Sequence, residues 1–219
     1  MKPQKFKTKI IKNDYLAEDV KHLVLKKPKD FDFVAGQYLS IILDNQERKI
    51  RRAYSIASSP KNKNLEFCIK IIPHGLATPL IKHLTPKQEI EILGPMGDFT
   101  LESKDKNLIL ISTGTGVGPF RSIINDLLEN GFNKKISLIA GYRKNILYDE
   151  EFKKLAKKYP NFSYNLAISS QGKRVQNLLV VDKKADYYLC GLSPMINSAR
   201  AILTKKGVPM KNIFSEKYD

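Results

Sequence analysis

The chain has 219 residues, 42% of them hydrophobic, and carries 38 Lys+Arg against 22 Asp+Glu for a formal net charge of +16. That size supports one large or two modest cores, and no apolar run reaches the roughly 18 residues of a membrane-spanning helix, so no stable membrane insertion is expected. Two cysteines, Cys68 and Cys190, exclude a disulfide framework and any four-cysteine iron–sulfur or zinc centre within the chain.

No metal site is expected. The basic N-terminus, MKPQKFKTKIIKNDY, lacks the apolar segment of a signal peptide, and a reducing cytoplasm is the expected compartment. The charge is spread evenly: residues 1–104 hold 19 basic against 12 acidic side chains, and residues 105–219 hold 19 against 10. No helix-turn-helix, zinc finger or aromatic-interleaved basic stripe accompanies it, so nucleic acid is not the expected partner. An acidic protein steered by the field, or simply solvated lysines, accounts for the charge.

In chain order, residues 6–12, 20–26, 38–43, 65–72 and 89–93 read as short strands with alternating or continuous apolar positions, and the polar stretch 51–59 as a further strand. Turn residues fall between them, and one short helical stretch, 77–84, interrupts them. This pattern predicts a six-stranded antiparallel barrel. The rhythm changes after the polar link 102–105. Strands are expected at 108–111, 135–140, 162–168, 186–190 and 212–214, alternating with helices that include 149–158, 175–180 and 194–206. Such alternation predicts a Rossmann-like parallel sheet. The expected domains are 1–103 and 104–219.

Two segments carry chemistry. Residues 51–59, RRAYSIASS, place arginine, tyrosine and serine close together, offering a phosphate clamp, a stacking surface and a hydroxyl. An edge strand with solvated arginines is the plainer account. Residues 108–130, LILISTGTGVGPFRSIINDLLEN, run from a buried strand through Gly114, Gly116 and Gly118 into a helix expected to begin at Pro119 and close at Gly131. Backbone N–H groups and the helix dipole there make an anion site suited to nucleotide phosphates.

Together these motifs resemble the ferredoxin–NADP reductase superfamily along nearly the whole chain. The RxYS motif is Arg52-Ala53-Tyr54-Ser55, and the second flavin segment is Gly75-Leu76-Ala77-Thr78. A GPxGxF turn stands at residues 94–99. The nucleotide turn is Gly114-Thr115-Gly116-Val117-Gly118-Pro119. A CGxxPM motif runs from Cys190 and Gly191 to Met195, and an E-x-aromatic ending is Glu216-Lys217-Tyr218, with Asp219 one residue beyond.

The resemblance implies an FAD-binding barrel followed by an NAD(P)-binding domain. In that frame Arg52 pairs with the FAD pyrophosphate and Tyr54 packs on the flavin ring. Ser55 lies near its hydride-accepting nitrogen, and Ile69, Lys70 and Ile71 border it. Gly75 opens the second flavin segment, and Leu76, Ala77 and Thr78 hold the pyrophosphate through N–H groups and the Thr78 hydroxyl, although Thr78 equally suits a helix N-cap. Residues 114–118 hold the NAD(P) pyrophosphate, Cys190 borders the nicotinamide, and Tyr218 shields the flavin. Ser55, Cys190, Glu216 and Tyr218 form the implied catalytic set. The implied reaction passes a hydride from NAD(P)H to FAD and then single electrons to a separate acidic carrier, ferredoxin or flavodoxin, or runs in reverse.

NADPH is expected ahead of NADH, because Arg143, Ser169, Lys173 and Arg174 follow two successive strands and no acidic residue competes in the second loop. A free-flavin reductase and a non-enzymatic nucleotide- or nucleic-acid-binding module are the alternatives. The sequence fixes no oligomeric state.

Overall fold

The computed structural model describes residues 2–45 and 48–218; Asp219 lies outside the described residues. The chain divides into two compact units. One comprises residues 1–100 with Arg121–Asp126, the other residues 101–120 and 127–219.

The first unit is an antiparallel sheet of β1 (Gln4–Ala17), β2 (Val20–Lys26), β3 (Tyr38–Asp44), β4 (Lys49–Ser55), β5 (Asn64–Lys70) and β6 (Glu89–Met96). Their spatial order is β4-β3-β6-β1-β2-β5. Inward-facing Leu23, Leu39, Ile41, Leu65, Phe67 and Ile92 build its core. β1 is twice the expected length. Its first half pairs with β6 and its second with β2, and the register shift between Ile10 and Lys12 breaks the alternation on which the shorter estimate rested. Beyond β4 the Ala57 N–H donates to the Glu66 carbonyl at 2.7 Å, bringing the two edges of the sheet together into a barrel.

α1 (Thr78–Lys82) is shorter than the expected 77–84. The Asn13 side-chain amide donates to the carbonyls of Ile81 (2.8 Å) and Leu84 (2.9 Å), satisfying groups that a longer helix would have bonded internally.

The second unit is a parallel sheet of β7 (Leu108–Thr113), β8 (Ile136–Tyr142), β9 (Phe162–Ile168), β10 (Asp186–Gly191) and β11 (Ile213–Lys217), in the order β11-β10-β7-β8-β9. Every residue of β10 is buried, as a central parallel strand requires. The helices are α2 (Val117–Glu129), α3 (Asp149–Lys158) and α4 (Ser193–Lys205).

A 3-10 turn, Gly114–Gly116, leads directly into α2, which therefore begins at Val117 rather than Pro119. Pro119 falls in the first turn, where its missing N–H costs no helical bond. α3 opens on Asp149, Glu150 and Glu151 and closes on Lys157 and Lys158, charges that complement its dipole.

Two other expectations are corrected. The helix expected at 175–180 is a 3-10 turn, Val175–Leu178, after which Leu179 is already extended. β11 runs on to Lys217, because each of its residues finds a partner on β10 from Tyr187 to Gly191. No helix among the described residues is long and apolar enough to cross a membrane.

Candidate functional site

In the first unit the Arg-x-Tyr-Ser motif lies on the edge strand β4. Arg52 and Ala53 are exposed, and Tyr54 and Ser55 half-buried. Arg52 spends one N–H on the Arg51 carbonyl (Nη1 to O, 2.9 Å). Tyr54 packs against the barrel core. Burial pushes its phenol up to about 12, against the opposing pull of the Arg52 charge, so Tyr54 is neutral at physiological pH.

On β5, Ile69 is buried and Lys70 exposed, and the Ile71 N–H donates to the Asp19 carbonyl at 2.7 Å. The loop that follows is tied off locally. The Thr78 hydroxyl donates to the Ile72 carbonyl and accepts from the Ile72 N–H, each at 2.9 Å, and the Gly75 N–H also donates to Ile72 O at 2.9 Å. The helix N-cap is Ala77, so Thr78 is the first helical residue and not a cap. With its proton committed to Ile72, its hydroxyl fastens the loop, and donors for an anion at this turn come from backbone N–H groups. Ile72 and Leu76 leave large apolar surfaces exposed beside it.

A polar network that no sequence pattern signalled holds the segment after the motif. Arg121 Nη1 donates to Glu66 Oε2 (2.8 Å) and to the Ala57 carbonyl (3.0 Å), while His22 Nε2 lies 3.1 Å from the same carboxylate oxygen. Asn62 Nδ2 donates to Glu66 Oε1 at 3.1 Å, and Ser122 Oγ to the Ser58 carbonyl at 2.6 Å. Burial raises the Glu66 carboxyl, but the hydrogen bonds and charges of His22 and Arg121 outweigh it and bring it down to about 2. The partners are too far apart in the chain for any local periodicity to reveal them.

In the second unit the nucleotide motifs meet at the carboxyl edge of the parallel sheet, where such folds bind ligands. Gly116 lies against the end of β10: a Cβ there would stand 2.5 Å from the Cys190 carbonyl oxygen. Gly191 has φ +144°, and Thr113 Oγ1 occupies the space a side chain would need. Gly116, Val117, Gly118 and Pro119 are buried, with Gly114 and Thr115 half-buried. Two buried hydroxyls at the end of β7, Ser112 Oγ and Thr113 Oγ1, have no hydrogen-bond partner among the described residues.

Cys190 is buried and stands in register with Glu216 on β11, and the Tyr218 N–H donates to the Gly191 carbonyl at 3.0 Å. Met195, expected at the cofactor, lies on the buried face of α4 with Ala199, in the core cluster that includes Ile109. Arg143 follows β8 directly. Its carbonyl accepts the Ser170 N–H at 3.4 Å, so the loops after β8 and β9 adjoin and present Arg143, Ser169, Lys173 and Arg174, all exposed. Orphaned hydroxyls, a Cα pressed against a carbonyl and a rim of cations fit the pyrophosphate and ribose of a dinucleotide. No cluster of three metal-ligating side chains occurs among the described residues.

Residues 7–101 match the family described as oxidoreductase FAD-binding domain, and residues 110–201 match the oxidoreductase NAD-binding domain. The chain is 32% identical to the phenol hydroxylase P5 protein of Acinetobacter pittii, over 98% of its own length and 66% of the relative's. It thus spans just under two thirds of that protein. It is 30% identical to the reductase component of propane 2-monooxygenase from Gordonia sp., over 96% of this chain and 67% of that one. Among solved structures, a variant of ferredoxin–NADP+ reductase from Plasmodium falciparum with 2′P-AMP superposes at a TM-score of 0.87 and 26% identity, covering 98% of this chain and 96% of that one. With both domains matched in order, the chain belongs to the ferredoxin–NADP reductase family of FAD- and NAD(P)-binding oxidoreductases.

Proposed function

We propose that this chain takes a hydride from NADPH onto bound FAD and delivers single electrons to a separate acidic carrier protein of the ferredoxin or flavodoxin type. The observation that carries this reading is the convergence of Gly116, Cys190, Glu216 and Tyr218 at one edge of the parallel sheet. Bound FAD supplies the hydride-accepting and one-electron chemistry.

The chain supplies binding and alignment. Arg52 would hold the FAD pyrophosphate, helped by the N–H groups of Leu76–Thr78. Tyr54, neutral at working pH, gives the flavin ring an apolar face, Ser55 offers it a hydroxyl, and Ile69, Lys70 and Ile71 line its border. The turn Gly114–Gly116 with Val117, Gly118 and Pro119 receives the NADP pyrophosphate. Cys190 and Gly191 border the nicotinamide, which Glu216 and Tyr218 help to orient. Residues 1–103 thus serve FAD and residues 104–219 serve NADP.

Arg143, Lys173 and Arg174, with the Ser169 hydroxyl, favour the 2′-phosphate, and the 2′P-AMP carried by the Plasmodium reductase supports that choice. The naming of relatives as reductase components of oxygenase systems supports a separate electron acceptor. The +16 charge suits an acidic one, reached in the cytoplasm.

The test is the visible spectrum of the desalted protein, followed by anaerobic NADPH and then NADH. Retained yellow FAD, bleached faster by NADPH, is the expected result. A colourless protein that oxidises NAD(P)H only when flavin is added overturns it in favour of a free-flavin reductase.

A further inference from the structure

In a parallel α/β sheet the strand amino ends and helix carboxyl ends share one edge, opposite the edge that carries Gly116 and Cys190. In the second unit the corner of that edge formed by β10 and β11 is strongly basic. Lys183 and Lys184 precede β10, Lys205 and Lys206 close α4, and Lys211 precedes β11; all five are exposed. The loops adjoin: a Cβ on Gly207 would lie 3.2 Å from Lys183 Nζ, and Thr204 Oγ1 donates to Met210 Sδ at 3.3 Å.

The carboxylates of this corner are held by neighbouring groups. Asp186 is buried and paired with Lys106 at 2.7 Å. Asp182 accepts from Asn107 Nδ2 (3.0 Å) and from the Lys184 N–H (2.9 Å). The remaining loops and helix ends of this edge add five more exposed lysines against three exposed carboxylates, Glu102, Asp105 and Glu129. Dipole complementarity accounts for Lys205 at the end of α4 but not for Lys183, Lys184 or Lys211, which lie outside any α-helix.

Two aliphatic side chains stand out among these lysines: Val180 is 75% exposed and Met210 54%. We propose that this corner docks on an anionic phospholipid surface. Lysine ammonium groups engage the headgroups, and Val180 and Met210 enter the boundary between headgroups and acyl chains. Its chemistry favours lipid over the other polyanions. Exposed Val180 and Met210 gain an apolar environment at a lipid boundary, whereas the phosphates of a nucleic acid offer them none. Exposed aliphatic groups ringed by lysine suit a lipid boundary. Docked this way, the carboxyl edge of the sheet stays turned to the aqueous side.

The experiment is co-sedimentation of the FAD-loaded protein with vesicles of equimolar phosphatidylglycerol and phosphatidylcholine, against phosphatidylcholine alone, at about 0.15 M salt. Binding to the anionic vesicles only is expected. Each lysine near the surface contributes about fivefold, so replacing Lys183, Lys184, Lys205 and Lys206 by Gln should weaken binding by a hundredfold or more. A matched variant with Lys7, Lys9, Lys26 and Lys29 replaced by Gln should lose far less. Val180→Ser with Met210→Ser should weaken vesicle binding several-fold and leave retention on heparin unchanged. Absence of binding to anionic vesicles, equal losses in the two lysine variants, or tighter binding to duplex DNA than to vesicles would each overturn the proposal.

Discussion

Cys190 and Gly116 meet backbone to backbone: the space where Gly116 would carry a side chain is taken by the Cys190 carbonyl, 2.5 Å away at oxygen and 2.7 Å at carbon. Neither atom can swing aside as a flexible side chain would. Gly116→Ala must therefore move the turn off the end of β10, and a displacement near 1 Å costs about a hundredfold in a reaction that depends on alignment. The variant should keep its FAD and reduce it with NADPH at least tenfold more slowly in anaerobic stopped-flow. An unchanged rate would remove the turn from the nucleotide site.

Glu66 makes acid stability a readout of its network with His22 and Arg121. Its folded carboxyl sits at about 2, below the ordinary 4.5. A depressed carboxyl contributes stability that is present above the unfolded value and lost as pH falls from about 4.5 toward 2. Glu66→Gln should lower Tm at pH 7 by at least about 2–4 °C, the shift for each kcal/mol in a chain of this size. The gap to wild type should narrow as pH drops below about 4.5. A gap that stays constant down to pH 3 would contradict the assignment.

Arg52 has one N–H on its own strand and a guanidinium exposed at the barrel edge. Arg52→Ala should weaken FAD retention by tenfold or more, in keeping with the loss of a charge-assisted pair, and leave NADPH binding nearly unchanged. Ultrafiltration at graded concentrations measures the first, and titration with NADP+ the second. Equal loss of both would place Arg52 elsewhere in function.

The loops after β8 and β9 meet through the Arg143 carbonyl and the Ser170 N–H. Replacing Arg143 and Arg174 together by Ala should raise KM for NADPH about tenfold or more while moving KM for NADH by less than about twofold, since only the former carries the extra phosphate. If the NADPH-to-NADH preference does not move, the ribose pocket lies outside these loops.

Local pattern was a good guide wherever burial is one-sided or complete. Val20–Lys26, Phe162–Ile168 and Asp149–Lys158 have the bounds their periodicity indicates. Legibility failed where a distant partner decides. β1 runs on because it changes neighbours at a register shift, and α1 stops early because Asn13, far upstream, takes its last carbonyls. Glycine spacing marked a close backbone approach, since the contact of Gly116 with Cys190 leaves glycine as the residue that fits. Met195 sits in a motif yet packs in the core, so its place in the pattern reflects the α4 fold as much as any ligand. The Glu66 network was invisible because each member alone is an ordinary surface residue type.

The two hydrogen bonds between Thr78 and Ile72 close the loop 72–78 into a ring with bonds made within the chain. If this turn holds the FAD pyrophosphate as proposed, these bonds reduce the ordering that binding must supply. Departure of the pyrophosphate breaks contacts with the loop without loosening the loop itself. Serine at position 78 would preserve that behaviour, whereas valine, alike in shape but lacking the hydroxyl, would convert a rigid rim into one that must be reassembled with every visit.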